Sequence, residues 1–556
     1  MSIKFQFRFI AAWLLSVYGL AVSVTSQAAE MVLAESPLFL GTRIDPNIFF
    51  MVDDSGSMDW EILTVDYEYY LDYWRNSSNT PMVTSGLFLS FSGSGCGTGR
   101  RNNAYYFSTA DDAYPWCSYS VQQHPEAEVR DWRVRSVDLN IMYYDPSVTY
   151  IPWVGFPDAV FTAARSNPES SSDGYNVTRN LTGFRYDVYI DDHSYNGNGA
   201  DGPTDVSDTP NGLVDLFDSH TTYTVGGADI VVDAYTTENA AAMIARNRNC
   251  SGNDYLTTPP YSRCFGTTLN SSTFRGAVRD AWGRTLTEIK QNVANWYQYH
   301  RRRSFVAKAA IAKVISENDD FRFGLSLINE YDELFKEVPA GEVEDYTSHN
   351  TELLESMFEF EWERRGTPLR RGLERVGRYY SNYYANYADP ITSACQQNYS
   401  VLFTDGYWNG GSPYTSAISD EDGDGTSDSV ADVAHYFYTE DLSTLPNDVP
   451  TTTLDQNNNQ HMVSFTVAFG VEGNLVDTDN DNYPNPELAG DDDWGGTSSN
   501  ADKIDDLWHA AFNSKAYFVS AQAAGGVANA ITAALFEIAD RVGSSASVAT
   551  NTGSLN

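Results

Sequence analysis

The sequence predicts a doubly wound α/β fold with a mostly parallel, Rossmann-like sheet and a large insertion of loops and short strands. Three observations carry that prediction. The stretch "NIFFMV" at 47–52 is an unbroken apolar run with no alternation, as in "YSVLFTDG" at 399–406 and "MVSFTVAFGV" at 462–471. Such runs suit strands covered on both faces. Helical patterns fall between them, and strands alternating with helices build parallel sheets. The stretch from about Trp60 to Asp280 breaks the rhythm, being rich in Tyr, Asn, Ser, Asp and Gly.

The elements follow in order. Residues 1–28 read as an export signal: Lys4 and Arg8 precede an apolar core at 9–24, and Ser26-Gln27-Ala28 offers a small-x-small cleavage site. A retained anchor is the alternative. Residues 29–46 form a linker, and 47–60 hold the first strand and the polar turn "DDSGSM". The insertion occupies 61–280 and carries Cys96, Cys117, Cys250 and Cys264, expected as two local disulfides, Cys96–Cys117 and Cys250–Cys264. Cys395 is left over as a buried thiol.

From 281 to 542 the α/β pattern resumes and, with 47–60, makes one discontinuous domain. A single long helix is expected over 292–316, where Phe305, Ala309, Ala312 and Ile315 recur at helical spacing. A strand follows at 321–328. The next helix begins with Thr367 as N-cap and Pro368 at its first position. Further helices are expected at 429–442, 504–512 and 525–542, a short strand at 516–521, and a small, polar, flexible tail at 543–556.

The 556 residues are 42% hydrophobic and carry a formal charge of −40. That charge argues against nucleic acid as a partner and against anionic lipid surfaces. No stretch after the leader is long and apolar enough for stable membrane insertion. It suits an exported, soluble protein or cation binding. Hydrolase signatures are missing: Ser55 and Ser57 stand in no G-x-S-x-G elbow, there is no H-E-x-x-H, and the eight histidines show no paired metal-ligand spacing. The chain is therefore expected not to be an enzyme.

Ligand sites in doubly wound sheets lie at the carboxyl ends of strands. Asp53, Ser55 and Ser57 sit there, spaced D-x-S-x-S. Thr367, in "RRGTPLR", and Asp405, in "FTDG", reach the same edge. Each alone fits an ordinary turn or cap. Together they give three hydroxyls and two carboxylates, hard oxygen donors suited to Mg2+, with Mn2+ and Ca2+ as alternatives. An acidic group from a partner would complete the coordination. Two acidic loops add possible Ca2+ positions. "DEDGDGTSD" supplies Asp420, Asp422, Asp424, Thr426 and Asp428 in an EF-hand-like frame, with Ala431 at the twelfth position and Asp432 one residue late. "DTDNDNYPN" supplies Asp477, Asp479, Asp481 and Asn485. Both loops equally fit solvated acidic loops.

The five-residue set resembles the metal-ion-dependent adhesion site of the von Willebrand factor A domain. The resemblance implies metal-ligand roles for Asp53, Ser55, Ser57, Thr367 and Asp405. A narrower resemblance rests on "PLFLGTRIDPNIFFMVDDSGSM", "YYDPSVTYIPW", "QNVANWYQYHRRRSFVAKAAIAKVI", "GTPLRRGLERVGRYY", "CQQNYSVLFTDGYWNG" and "DDLWHAAFNSKAYFVSA". Together these look like the PilY (PilC-like) family of type IV pilus proteins. That resemblance implies a role in adhesion, pilus assembly, twitching motility or surface sensing. It implies pilins or minor pilins as partners, and a location at the pilus tip, cell surface or periplasm of a Gram-negative bacterium. In that family a calcium-binding β-propeller half follows the A-domain half, and this chain stops about where it would begin. A stand-alone secreted, metal-dependent binding protein is the alternative expectation.

Overall fold

The computed structural model describes residues 44–59, 61, 107, 135–138, 140–169, 178–190, 219–236, 267–318, 321–329, 334–341, 345–360, 366–471, 473–478, 483–485, 494–521, 531–539 and 541. The expected leader, the four paired cysteines, Asp479, Asp481 and the tail lie outside them. Among the described residues no helix is long and apolar enough to cross a membrane.

The first strand, β1 (Asn47–Val52), is followed by β2 (Ala164–Arg165), β3 (Thr178–Arg179), β4 (Phe184–Ile190), β5 (Ser219–Val225), β6 (Ile230–Thr236) and β7 (Thr267–Phe274) within the insertion. Then come α1 (Leu286–Tyr299), α2 (Arg303–Ser316), β8 (Arg322–Leu327), β9 (Phe335–Lys336), α3 (Thr347–Glu359) and α4 (Leu369–Tyr380). The chain continues with β10 (Asn398–Thr404), α5 (Val430–Thr439), β11 (Met462–Phe469), α6 (Asn500–Asn513) and β12 (Phe518–Ala521). Residues 531–539 are helical.

The central sheet runs β12-β11-β10-β1-β8-β9, parallel throughout except for the short edge strand β9. Phe50 of β1 lies opposite Val401 and Leu325. The unbroken apolar run of β1 has a plain cause. Ile48, Phe50 and Val52 enter one apolar cluster, with residues of α1, α2 and α3; Phe49 and Met51 enter another, with residues of α4, α5 and α6. Both faces are covered, so no position can be polar for solvent's sake. α4 comes close enough to β1 that a Cβ on Gly372 would meet Met51 Sδ at 2.9 Å.

The insertion holds a four-stranded antiparallel sheet, β4-β5-β6-β7, and the pair β2-β3. Aromatic residues of the insertion join the same cluster as β1: Tyr143 and Tyr144 pack on Phe184 and Trp296, and Trp153 stacks on Phe358 at 5.2 Å.

The single helix expected over 292–316 is two helices. α1 starts earlier, at a capping box in which Thr285 accepts from Glu288 N and Glu288 accepts from Thr285 N. It stops at Tyr299, and α2 begins at Arg303. Buried acids account for the break. Arg301 donates to Glu61 at 2.9 Å, Arg302 to Asp59 at 2.7 Å and Arg303 to Asp405 at 2.5 Å. The Trp153 indole bridges the gap by donating to the carbonyls of Tyr299 and Phe305.

Candidate metal-binding edge of the sheet

The chain leaves β1 toward β8 on one side and returns to β10 on the other, so the strand order reverses between β1 and β10. In doubly wound sheets a switch of this kind is where a crevice opens beyond the carboxyl ends of the two strands. Asp53 follows β1 and Asp405 follows β10. Gly406 then turns the chain at a φ of 139°, which a side chain would strain. Ser57 stands on a single 3-10 turn, Gly56–Asp59.

Four of the five expected residues form one hydrogen-bonded set. Asp53 is fully buried; its Oδ1 accepts from Ser55 N at 2.7 Å and its Oδ2 from Thr404 Oγ1 at 2.6 Å. The Ser55 and Ser57 hydroxyls lie 3.1 Å apart, and Ser57 donates to Asp405 Oδ1 at 2.9 Å. Burial, with the Asp405 charge facing it, pushes the Asp53 carboxyl up to about 7, against the bonds from Thr404 and Ser55.

Thr367 reaches this set indirectly. Its hydroxyl accepts from Asn409 Nδ2 at 3.4 Å, and the preceding Gly366 carbonyl accepts from Asn329, which also donates to Asp54. The expected N-cap role is corrected: α4 starts at Leu369, Pro368 holds the cap position, and no side chain caps it. The ring fixed at Pro368 leaves Thr367 one residue outside the helix, on the crevice side.

The donor chemistry fits a hard divalent cation: two carboxylates and hydroxyls, with no thiolate or imidazole in the set. Asp53, Ser55, Ser57 and Asp405 would hold it, with Thr367 at the rim. Arg303, Thr404, Asn329 and Asn409 were missed in the sequence. The one available signal was the arginine triplet 301–303, charge placed inside an apolar helical pattern.

The first acidic loop divides its residues. Asp420 accepts from Gly425 N and Asp424 from Thr426 N, while Thr426 donates to the Gly495 carbonyl. Asp428 has a φ of 60° and accepts from Ser412. Asp432 caps α5 through Ser429 and accepts from Glu421 N. Carboxylate oxygens of Asp420, Asp422 and Asp432 lie within 4.8 Å of one another, and so do ligand atoms of Asp422, Asp424 and His509. Burial pushes Asp424 and Asp432 up to about 6 and His509 down to about 4. In the second loop Asn485 Oδ1 accepts from Thr478 N and Oγ1, and Asp477 stands beside that turn.

No family model matches the chain, and no solved structure matches it. Three curated proteins do, each described as type IV pilus biogenesis factor PilY1 of Pseudomonas aeruginosa. The protein of strain PAK is 24% identical over 562 residues, covering 89% of this chain and 38% of the relative. That of strain PAO1 is 28% identical over 292 residues, covering 42% and 25%. That of strain UCBPP-PA14 is 27% identical over 308 residues, covering 46% and 26%. The chain thus spans a quarter to two fifths of the length of the relatives it matches. These three matches support a PilY-like family for this chain.

Proposed function

We propose that the chain is an exported, type IV pilus-associated binding protein that works through a divalent cation at the carboxyl edge of its sheet. The observation that carries this is the set Asp53–Ser55–Ser57–Asp405, two carboxylates and two hydroxyls linked at the β1/β10 switch point. On this reading 47–60 and 281–542 act as a von Willebrand factor A-like domain, and 61–280 is an elaboration upon it. The relatives' printed name supports the pilus context. Asp53, Ser55, Ser57 and Asp405, with Thr367 alongside, would hold Mg2+, or Mn2+ or Ca2+ in its place. The bound ion supplies a positive charge for an acidic group of a partner, a pilin or a surface protein. Arg303 holds the Asp405 carboxylate in place, and Thr404 does the same for Asp53. The hydroxyls and carboxylates are linked to one another as a hard-oxygen donor set, which is why binding is the reading.

The test is Asp53→Ala in the purified chain and in cells that carry it. Mg2+ and Mn2+ binding by calorimetry is expected to fall at least ~10-fold, the scale seen when a metal site loses an organising group. Lost attachment with normal piliation would place the site in adhesion, and lost surface pili would place it in assembly. Metal binding lost with attachment and piliation both intact would refute the functional reading.

A further inference from the structure

The acidic loop 420–428 lacks the twelfth-position ligand of an EF-hand frame, where Ala431 stands. The fold brings a different donor to it. His509 of α6 enters from the far side of the β10–α5 connection, with Nε2 3.3 Å from Asp422 Oδ2 and Nδ1 3.8 Å from Asp424 Oδ2. We propose that Asp422, Asp424 and His509 form a second divalent-cation site, with Asp420 and Asp432 at its rim, for an ion of the Zn2+ or Mn2+ class that accepts nitrogen as well as oxygen.

Four observations carry this. The first is burial: His509 is 6% exposed, and Trp494 stacks on it at 4.6 Å and 6°. A ring so placed has its plane fixed, with Nε2 the nitrogen nearer to a carboxylate oxygen. The second is a donor conflict. Both ring nitrogens face carboxylates, but a neutral imidazole has only one N–H. The other nitrogen presents a lone pair to a carboxylate oxygen, an arrangement relieved by a cation between them. The third is spacing. A tetrahedral site with bonds of about 2.0–2.2 Å has ligand-to-ligand edges of about 3.3–3.6 Å. The Asp422–His509 separation lies in that range, and one ligand atom from each of the three residues lies within 4.8 Å of the others. The fourth is charge. Among the described residues, His509 is the one ion-pair partner of Asp422 and Asp424, with two more carboxylates alongside.

Asn513 supports the site from the next turn of α6 by donating to Asp422 Oδ2 at 2.6 Å. Such outer bonds orient metal-bound carboxylates. A nitrogen ligand and few oxygens disfavour Ca2+, which takes six to eight oxygens. Asp432 contributes less directly, since its oxygens already accept from Ser429 and Glu421 N. An ion here would pin the connection that begins at Asp405 onto α6, so it would steady the crevice edge without being part of the β1/β10 site.

The test is titration of the purified chain with Zn2+, Mn2+, Ca2+ and Mg2+ separately, for wild type, His509→Ala, Asp424→Asn and Asp53→Ala. Zn2+ binding is expected to weaken at least ~10-fold in His509→Ala and in Asp424→Asn. It is expected to be unchanged in Asp53→Ala, which separates this site from the one at β1/β10. Mn2+ bound to wild type should show nitrogen coupling in pulsed paramagnetic resonance, lost in His509→Ala. Circular dichroism checks each variant's fold; should His509→Ala unfold, Asp424→Asn and the nitrogen coupling of wild type decide. Zn2+ affinity unchanged in the folded variants, or no nitrogen coupling in wild type, would overturn the proposal.

Discussion

The Arg303 guanidinium donates to Asp405 Oδ2 at 2.5 Å, while the other oxygen of the same carboxylate accepts from Ser57. Both partners are buried, with side chains 6% and 3% exposed. The carboxylate is thereby held toward the end of β1, and one of two facing negative charges is balanced from within the chain. On the proposed reading, a cation bound here would share Asp405 with Arg303.

Replacing Arg303 by Ala leaves Asp405 buried beside Asp53 with its internal counter-charge removed. Breaking a buried pair by removing one member costs about 3–5 kcal/mol. The loss should be largest in chelator, and Mg2+ should restore part of it, because the ion supplies the missing charge. Thermal melts with and without Mg2+ should show a larger metal-induced rise in Tm for Arg303→Ala than for wild type. Equal rises in the two proteins would mean that Asp405 does not meet the metal.

Trp153 ties the insertion to the break between α1 and α2. Trp153→Ala should cost about 3–5 kcal/mol, the range for a large buried aromatic. Trp153→Phe keeps most of the ring contact with Phe305 and Phe358 but leaves the Tyr299 and Phe305 carbonyls without their indole donor. That loss should be about 1–3 kcal/mol. Urea denaturation of both variants separates packing from hydrogen bonding, and a Phe variant as stable as wild type would deny the indole its bridging role.

The strands were legible in the sequence because burial on both faces removes polar positions, and a short unbroken run such as 47–52, closed by a polar turn, suits a central strand of a parallel sheet. The D-x-S-x-S loop was legible for the same reason: it marks where that run must stop. The helix break at 300–302 was not, since Arg301 and Arg302 in the break, and Arg303 at the start of α2, meet Glu61, Asp59 and Asp405, partners 240, 243 and 102 residues away in sequence. Arg303 and His509 were missed alike. A guanidinium or an imidazole inside a helical pattern gives no sign of which distant carboxylate it will face. Thr367 was placed on the right edge of the sheet but in the wrong backbone role, because Thr-Pro is compatible with both an N-cap and the residue before one.

The α4–α5 contact depends on Gly377. A Cβ there would run into the Phe437 ring, which is itself buried. Gly377→Ala should destabilise by about 1–3 kcal/mol, the usual cost of overpacking. Phe437→Leu in the same chain should recover part of that loss, a non-additivity expected of residues in contact. Strictly additive denaturation energies would show that the helices separate elsewhere to admit the methyl group.

Asp506 of α6 serves as a cap for α5, a role its own helix does not reveal. Its Oδ2 accepts from Trp408 Nε1 at 2.8 Å and Val430 N at 3.0 Å, and its Oδ1 from Ala431 N at 3.0 Å. Burial pushes its carboxyl from the ordinary 3.8 up to about 7, outweighing the three bonds that favour the charged form. A folded-state pKa above the unfolded one means that the native protein binds the proton first. The group's contribution is then fully present below about pH 4 and is lost as pH rises through about 7. Asp506→Asn removes that dependence and also turns an amide NH2 toward one of the three donors. The variant should be less stable at pH 8 by about 1–3 kcal/mol. The stability difference between wild type and variant should then widen as pH falls from 7 to 4, since wild type gains a proton-linked term that Asn cannot. Taking the difference cancels the other carboxylates that titrate in the same window, Asp424 and Asp432 among them. Chemical denaturation of both proteins at pH 4, 5.5, 7 and 8 tests the sign, and a difference that stays constant or narrows on acidification would show that Asp506 is ionised throughout.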